Sequence, residues 1–241
     1  MKHILIVLAL LSISLITGCS GAATPDVATA TATMIVPSAT ATFTPTSTAL
    51  PPTLTATASG PLEFPSGGPD VTGEEQPAGQ YKTPRGFNPR FTFETTTAFR
   101  GISETLPLGD LFGLAQGSRR LPQKQLLFWT LAPGVSTEEA VAQLRATSRV
   151  EFSPEQSVTI IGISGTQFDT IAERGAHFAA LGDLTGMEGG SWDTNSLQVH
   201  IRFIVFTASG RTMVIYIETP TDEFDSFVID TEKVLGTVQF D

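Results

Sequence analysis

Histidines are the residues of this sequence best suited to acid–base chemistry, and two of its three lie in the C-terminal part. His177 is near Asp169 and Asp183 in sequence, but a metal site needs several converging ligands with a supporting shell of hydrogen bonds. His200 stands on the polar side of an alternating run, where a solvated or cross-strand-bonded histidine is expected. We therefore predict no catalytic residue, no metal site and no cofactor.

The glycine-rich stretch over residues 175–196 is the best candidate for a functional surface. It is long for a segment without regular structure, and such loops are usually functional or disordered. His177 and Asp183 bring polar groups to it, and Trp192 is either an exposed anchor for a partner or a core residue that caps the sheet. We predict a binding surface that includes His177, Asp183 and Trp192.

Charge and cysteine content restrict the classes of partner and of stabilisation. The chain has 24 acidic against 14 basic residues and a formal charge of −10. Nucleic acid is therefore excluded as a partner, because it is itself a polyanion. Cys19 is the sole cysteine of the 241 residues, so no disulfide forms within the chain.

The N-terminal end carries a different chemistry, centred on Cys19. Lys2 precedes an apolar run over residues 4–16, within the roughly 7–15 residues of a signal-peptide core and short of the about 20 that span a bilayer. The run closes in Ile16-Thr17-Gly18-Cys19, which resembles the bacterial lipobox. The resemblance implies a signal peptide over residues 1–18, cleavage between Gly18 and Cys19, diacylglycerol on the thiol, and a fatty chain such as palmitate on the new amine.

A lipid on Cys19 would decide where the protein is found. Two or three acyl chains hold a protein on a membrane durably, whereas one chain binds reversibly. We therefore expect a cell-envelope protein that is lipid-anchored on the extracytoplasmic side of a bacterial membrane. The sequence is compatible with either the inner or the outer membrane. The alternative is an ordinary secretory signal in which the cysteine stands by chance.

Residues 19–80 are predicted to be a disordered linker that holds the following domain away from the membrane. Up to Gly60 the composition is dominated by Thr, Ala, Pro and Ser, and Asp26 is the sole charge after Cys19; from Pro61 to Gly79 it shifts to Gly, Pro and acidic residues. Such segments cannot bury enough apolar surface to offset the ordering entropy of their backbone. O-linked sugars on the threonines are a further hypothesis.

Residues 81–241 predict an α+β domain. Ser136 and Glu139 have the spacing of a capping box and predict a helix over 137–146 that buries Ala140, Val141 and Leu144. A second helix is predicted to begin at Thr219-Pro220 and to end at Gly236. The residues that recur at helical spacing along it are Phe224, Phe227, Val228, Thr231 and Val234 or Leu235. Strands are predicted over 91–95, 111–114, 125–131, 158–161, 165–171, 197–206, 213–217 and 237–240, with turns at 162–165 and 209–210. The continuous apolar run over 125–131 is typical of a strand covered on both faces or by a helix.

The order of these elements is similar to that of PsbP-like α/β-sandwich domains, a family of extrinsic photosystem subunits and bacterial lipoproteins. The likeness rests on the Ile161-Gly162-Ile163-Ser164-Gly165 turn, the hairpin over 197–217 and the final helix running into Val234-Leu235-Gly236-Thr237-Val238-Gln239-Phe240. It implies an antiparallel sheet packed by two main helices, and a binding or assembly role.

We expect from these observations a lipoprotein that displays a non-catalytic binding domain on a flexible stalk. Its partners would be the membrane, through Cys19, and an envelope protein or small ligand. One alternative is an extracytoplasmic hydrolase with an acid–base pair drawn from Asp169, Asp183 and His177. Another is a purely structural spacer.

Overall fold

The computed structural model describes residues 60–68, 72–120, 122–173, 175–187, 192–194 and 198–241. The predicted signal peptide, Cys19 and the predicted linker up to residue 59 lie outside these ranges. None of the helices within the ranges is long and apolar enough to cross a membrane.

Strands alternate with few helices along the chain. The order is β1 (Leu62–Glu63), β2 (Ser66–Gly67), β3 (Glu75–Gln76), β4 (Gly79–Lys82), β5 (Phe91–Thr95), β6 (Phe99–Thr105), β7 (Asp110–Gly117), β8 (Pro122–Thr130), α1 (Thr137–Arg145), β9 (Gln156–Ile160), β10 (Ile163–Glu173), β11 (His177–Phe178), α2 (Ala179–Leu184), β12 (Trp192–Asp193), β13 (Gln198–Ala208), β14 (Arg211–Pro220), α3 (Phe224–Leu235) and β15 (Gln239–Phe240). Within the described ranges this is a sheet-rich mixed fold with three α-helices, which is compatible with the predicted α+β class.

A large sheet forms the centre of the domain. In the described residues its strands follow the order β2-β6-β7-β8-β14-β13-β10-β9, and β3 also pairs with β6. The neighbours are antiparallel except for the β2–β6 pair. Helices α1 and α2 pack on one face, and α3 packs on the other face together with a smaller sheet of order β1-β4-β5-β15.

Strand β8 shows why the sheet is buried on both faces. Leu127 and Trp129 belong to the core under α1 and α2, whereas Leu126 and Phe128 belong to the core under α3 and the small sheet. Successive side chains of a strand point to opposite faces, so a strand with apolar residues at every position requires two covers. The prediction of a strand covered on both faces is confirmed.

The small sheet begins earlier in the chain than the composition predicted. Phe64 is 1% exposed and its ring centroid lies 4.7 Å from that of Tyr81 and 6.2 Å from that of Phe112 on the large sheet. Residues 60–68 and 72–80 are therefore part of the folded domain, and the linker boundary predicted at residue 80 is wrong for them. The strands there have two to four residues and lie among Gly, Pro and Glu, so the composition predicted a linker in place of strands.

Both main helices were located by their sequence signals, with one boundary displaced. Helix α1 buries Ala140, Val141 and Leu144 as predicted. Helix α3 buries the predicted Phe224, but it begins there and not at Thr219-Pro220, because those two residues complete the β14 ladder. A short 3-10 turn connects the strand to the helix.

The turns and one strand also differ in detail. The Ser209-Gly210 hairpin turn is confirmed, with φ of 49° and 75°. The turn between β9 and β10 is formed by Ile161-Gly162, and the residues from Ile163 onward already belong to β10, so the predicted turn over 162–165 is wrong. Strand β6 was not predicted at all, because Gly101 and the polar residues after it interrupt its apolar pattern.

Candidate functional site

An open groove of about 1000 Å³ lies between the C-terminal end of α1, the end of β10, and α2; we call it the α1–α2 groove. Its floor is made largely of small side chains and its rim of charged ones. The lining is Gln143, Ala146, Thr147, Ser148, Arg149, Val150, Glu151, Ile171, Ala172, Glu173, Gly175, Ala176, His177, Ala179, Ala180 and Asp183.

The first wall is positioned by the cap and the end of α1. The Ser136 hydroxyl accepts a hydrogen bond from the Glu139 amide at 3.0 Å, which fixes where the helix begins. At the other end the Thr147 hydroxyl donates to the Leu144 carbonyl at 2.8 Å. Arg149 then adopts a φ of 64°, which turns the chain away from the helix axis and towards β10.

The second wall is the segment that follows this turn and runs against β10. The Ser153 amide donates to the Asp169 carbonyl at 2.8 Å, and the Thr170 hydroxyl donates to the Glu151 carbonyl at 2.7 Å. Phe152 packs its ring on that of Phe168 with centroids 5.6 Å apart. These contacts hold Glu151 at the rim of the groove.

The third wall is β11 together with α2, and β12 pairs with β11 behind it. Phe178 is fully buried and anchors the wall in the core, while the adjacent His177 is directed outward. His177 Nδ1 and Asp193 Oδ1 lie 2.9 Å apart, with side chains 60% and 57% exposed. The Thr185 hydroxyl donates to the Leu181 carbonyl at 2.8 Å and closes α2.

The structure brings two of the three predicted binding residues to this groove. His177 and Asp183 both line it. Trp192 pairs through its backbone with Phe178, and its side chain is outside what the structure describes, so its predicted role as an anchor stays a prediction. Asp193 was not singled out in the sequence, because its contact with His177 arises from the pairing of two strands of two residues each.

The acid–base set proposed for a hydrolase is not assembled. Asp169 lies on the opposite face of β10 from the buried Phe168, and the Arg202 guanidinium binds its carboxylate in a bidentate manner with two N–O distances of 2.9 Å. No hydrogen bond or ion pair between described residues joins His177 to Asp169 or to Asp183.

A smaller cleft of about 550 Å³ lies beside the groove and shares Glu151 and Ile171 with it. His200 lines it, stacks on Phe224 with ring centroids 3.4 Å apart, and has Nε2 3.6 Å from Asp169 Oδ2. His200 therefore lies near a carboxylate of the neighbouring strand and is partly shielded from solvent. Burial of the imidazole lowers the pKa of His200 below its usual 6.5, more than the attraction of the Asp169 carboxylate raises it.

Charged side chains at the rim determine what the α1–α2 groove can do chemically. Glu151, Glu173 and Asp183 are exposed carboxylates, and none of them forms an ion pair with a described residue. Arg149 supplies a guanidinium to the same lining. Among the described residues no group of three His, Asp or Glu side chains is arranged to hold a metal ion. The groove therefore offers hydrogen bonds and charges of both signs to a polar ligand.

No model of a known protein family matches this sequence, and no curated protein matches it either. The function of the groove is therefore inferred from its own residues.

Proposed function

We propose that this chain is a lipid-anchored extracytoplasmic protein of a bacterial envelope, and that its domain binds a polar ligand or a polar segment of an envelope partner in the α1–α2 groove. The observation that carries the binding role is the groove itself, about 1000 Å³ in volume and lined by His177 and Asp183. Ligand sites of proteins are clefts of about 300–1,000 Å³, so the volume suits a small ligand or a few residues of a peptide.

The lining supports binding because the floor and the rim differ. Ala172, Ala176 and Ala180 leave room above the floor, since their side chains are short. Glu173 and Asp183 bring carboxylates to the rim, and neither forms an ion pair with another described residue; such groups accept hydrogen bonds from a polar ligand. Charge-assisted hydrogen bonds of this kind fix the orientation of a ligand more than they raise its affinity.

The anchor is supported by the sequence alone. Ile16-Thr17-Gly18-Cys19 closes an apolar run at the N-terminus, and a long segment poor in charge separates Cys19 from the domain. A lipid on Cys19 would keep the domain at the membrane, and the linker would let it reach partners that project from the same surface.

A photoreactive residue in the groove tests the binding role. Gln143 lines the groove on the α1 wall and is half-buried, whereas Ile229 is 55% exposed on α3, on the other side of the large sheet. We expect a photoreactive amino acid at position 143 to give a discrete adduct on intact cells, and the same group at position 229 to give none. The position-143 adduct should weaken when Asp183 is also replaced by alanine. Identical adducts at the two positions, or none at position 143, would contradict binding in the groove.

A hydrolase is the second candidate, and the His177–Asp193 contact is the observation that favours it. A carboxylate that accepts from Nδ1 orients an imidazole for proton transfer through Nε2. We rank it second because both side chains are more than half exposed, at 60% and 57%, and no described hydroxyl is bonded to the ring. Hydrolysis of esters or peptides that is lost in His177→Gln and kept in His200→Gln would favour the enzyme over the binding protein.

We also infer that the domain is of the PsbP-like α/β-sandwich kind. Support comes from the antiparallel β10–β13–β14–β8 arrangement with α1 on one face and α3 on the other. The first part of the domain departs from the simple pattern, because β1, β4, β5 and β15 form a separate small sheet.

A further inference from the structure

Strand β9 ends the large sheet with an unpaired edge. It is bound on one side by β10, and within the described ranges no strand pairs with its other side. Gln156, Ser157 and Thr159 are exposed. The far end of the same sheet differs, because β2 and β3 both cover β6 there.

The hairpin turn determines which backbone groups of β9 face outward. Ile160 and Ile163 flank the two-residue Ile161-Gly162 turn, so they form the hydrogen-bonded pair that closes the hairpin. Alternate residues of a strand direct their amide and carbonyl to alternate sides, so Val158 also bonds to β10. The amides and carbonyls of Ser157 and Thr159 therefore face the free side.

Nothing in β9 protects this edge. An edge strand exposes unpaired backbone amides and carbonyls to which another strand can bind. Proteins commonly prevent such pairing with charged residues, proline or a bulge in the edge strand. Gln156–Ile160 contains no charged residue and no proline, and its pairing with β10 runs without interruption from Gln156 to Ile160. The strand is also rich in β-branched residues.

We propose that β9 pairs with β9 of a second copy of this chain, antiparallel, about a two-fold axis at Val158. This register places Val158 opposite its own copy and Ser157 opposite Thr159 of the other copy, so the outward amides and carbonyls of Ser157 and Thr159 meet each other. Cross-strand contacts between hydroxyl residues and between β-branched residues are favourable. The large sheet would continue across the axis.

Charge favours a second copy over a charged partner. The whole chain has a formal charge of −10, so two copies repel each other over most of their surfaces. The uncharged Gln156–Ile160 strand is a surface on which no like charges come opposite each other. The same neutrality gives a strongly charged peptide nothing to recognise at this edge.

Pairing through five residues is a small interface. Stable dimers usually bury about 1,200–2,000 Å² or more, which one short strand pair does not reach. We therefore expect a reversible dimer that dissociates on dilution. Pairing at β9 does not depend on the lipid proposed on Cys19 or on occupancy of the α1–α2 groove.

Cysteine crosslinking tests the proposed register between the two β9 strands directly. In a full chain with Cys19→Ser, an added thiol is the sole one. Val158→Cys should oxidise to a dimer, because directly opposed residues of a non-hydrogen-bonded pair come close enough for the roughly 3.5–4.5 Å between Cβ atoms that a disulfide requires. Thr159→Cys is the matched control, because Thr159 is more exposed than Val158 and its thiol would be at least as accessible. In the proposed register each Thr159 lies opposite Ser157 of the other copy, so the two Thr159 residues are diagonal neighbours about 7–8 Å apart, too far for a disulfide. Equal or stronger crosslinking at Thr159 would overturn the register.

A proline on the free side tests the edge without disturbing the hairpin. Thr159→Pro removes an amide that points away from β10, and proline is tolerated on that side of an edge strand. We expect it to abolish the Val158→Cys crosslink, while Thr159→Val keeps the crosslink. Sedimentation of the chain with Cys19→Ser and no other change should show a mass that rises towards the dimer with concentration. A monomer at every concentration up to the solubility limit would overturn the proposal.

Discussion

Phe64 offers the sharpest test of where the folded domain begins. Its side chain is 1% exposed and its ring lies 4.7 Å from Tyr81, 5.7 Å from Phe93 and 6.2 Å from Phe112 between ring centroids. Truncation of a fully buried phenylalanine to alanine costs about 3–5 kcal/mol, from lost transfer energy and the cavity that remains. For a domain of this size each kcal/mol lowers the melting temperature by roughly 2–4 °C, so Phe64→Ala should lower it by roughly 6–20 °C.

Leu62 is the matched control, because it stands two positions away and is 64% exposed. Leu62→Ala should change the free energy of unfolding by no more than about 0.5 kcal/mol. The assay is urea unfolding of both variants followed by circular dichroism, with the change in free energy taken from the midpoints. If Phe64→Ala is as mild as Leu62→Ala, the residues before Tyr81 are not docked on the domain and the linker extends to residue 80.

Three further changes have expected outcomes. Burial lowers the pKa of His200 from its usual 6.5, so the unfolded chain takes up a proton before the folded chain does as the pH falls through 6.5. The free energy of unfolding should therefore decrease as the pH falls through this value, and His200→Gln should reduce the decrease measured by urea midpoints. Ser209 has a φ of 49° before Gly210 in the β13–β14 turn, so Ser209→Asn should raise stability by roughly 0.5 kcal/mol in thermal melts, whereas Ser209→Val should lower it. Ser136→Ala should cost about 1 kcal/mol through loss of the α1 cap, and Ser136→Asp should restore it; equal stability of the two variants would show that the cap contributes nothing.

Local signals in the sequence were enough to place most of the elements. The hydroxyl of Ser136 and the spacing of Ala140, Val141 and Leu144 are properties of one short segment, and they predicted α1 and its buried face. The alternation on either side of Ser209-Gly210 likewise predicted the β13–β14 hairpin. Patterns of this kind depend only on the repeat of the helix or the strand.

The parts that escaped prediction depend on contacts between distant segments. Gly101 interrupts the pattern of β6, yet the structure requires it, since a Cβ there would lie 2.4 Å from the Pro65 carbonyl oxygen. Phe64 is buried because aromatic residues from other strands surround it, and its own neighbours in sequence give no sign of this.

Some residues of the candidate site were likewise predicted from local sequence, and others depend on contacts between distant segments. His177 and Asp183 were predicted because they are polar residues in a long glycine-rich stretch, and long segments without regular structure are usually functional or disordered. Glu151 and Arg149 were not found, because the turn after α1 brings them to the groove from a different part of the chain. Asp169 was grouped with His177 by its nearness in sequence, but alternation along β10 directs it to Arg202 on the other face.

Display of this domain at a membrane is the claim on which the functional proposal depends, and the mass of the mature N-terminal peptide tests it most directly. We predict that protein purified from its own cells yields a peptide that begins at Cys19 and carries diacylglycerol on the thiol. A peptide that begins at Met1, or one that contains Cys19 with an unmodified thiol, would contradict the anchor.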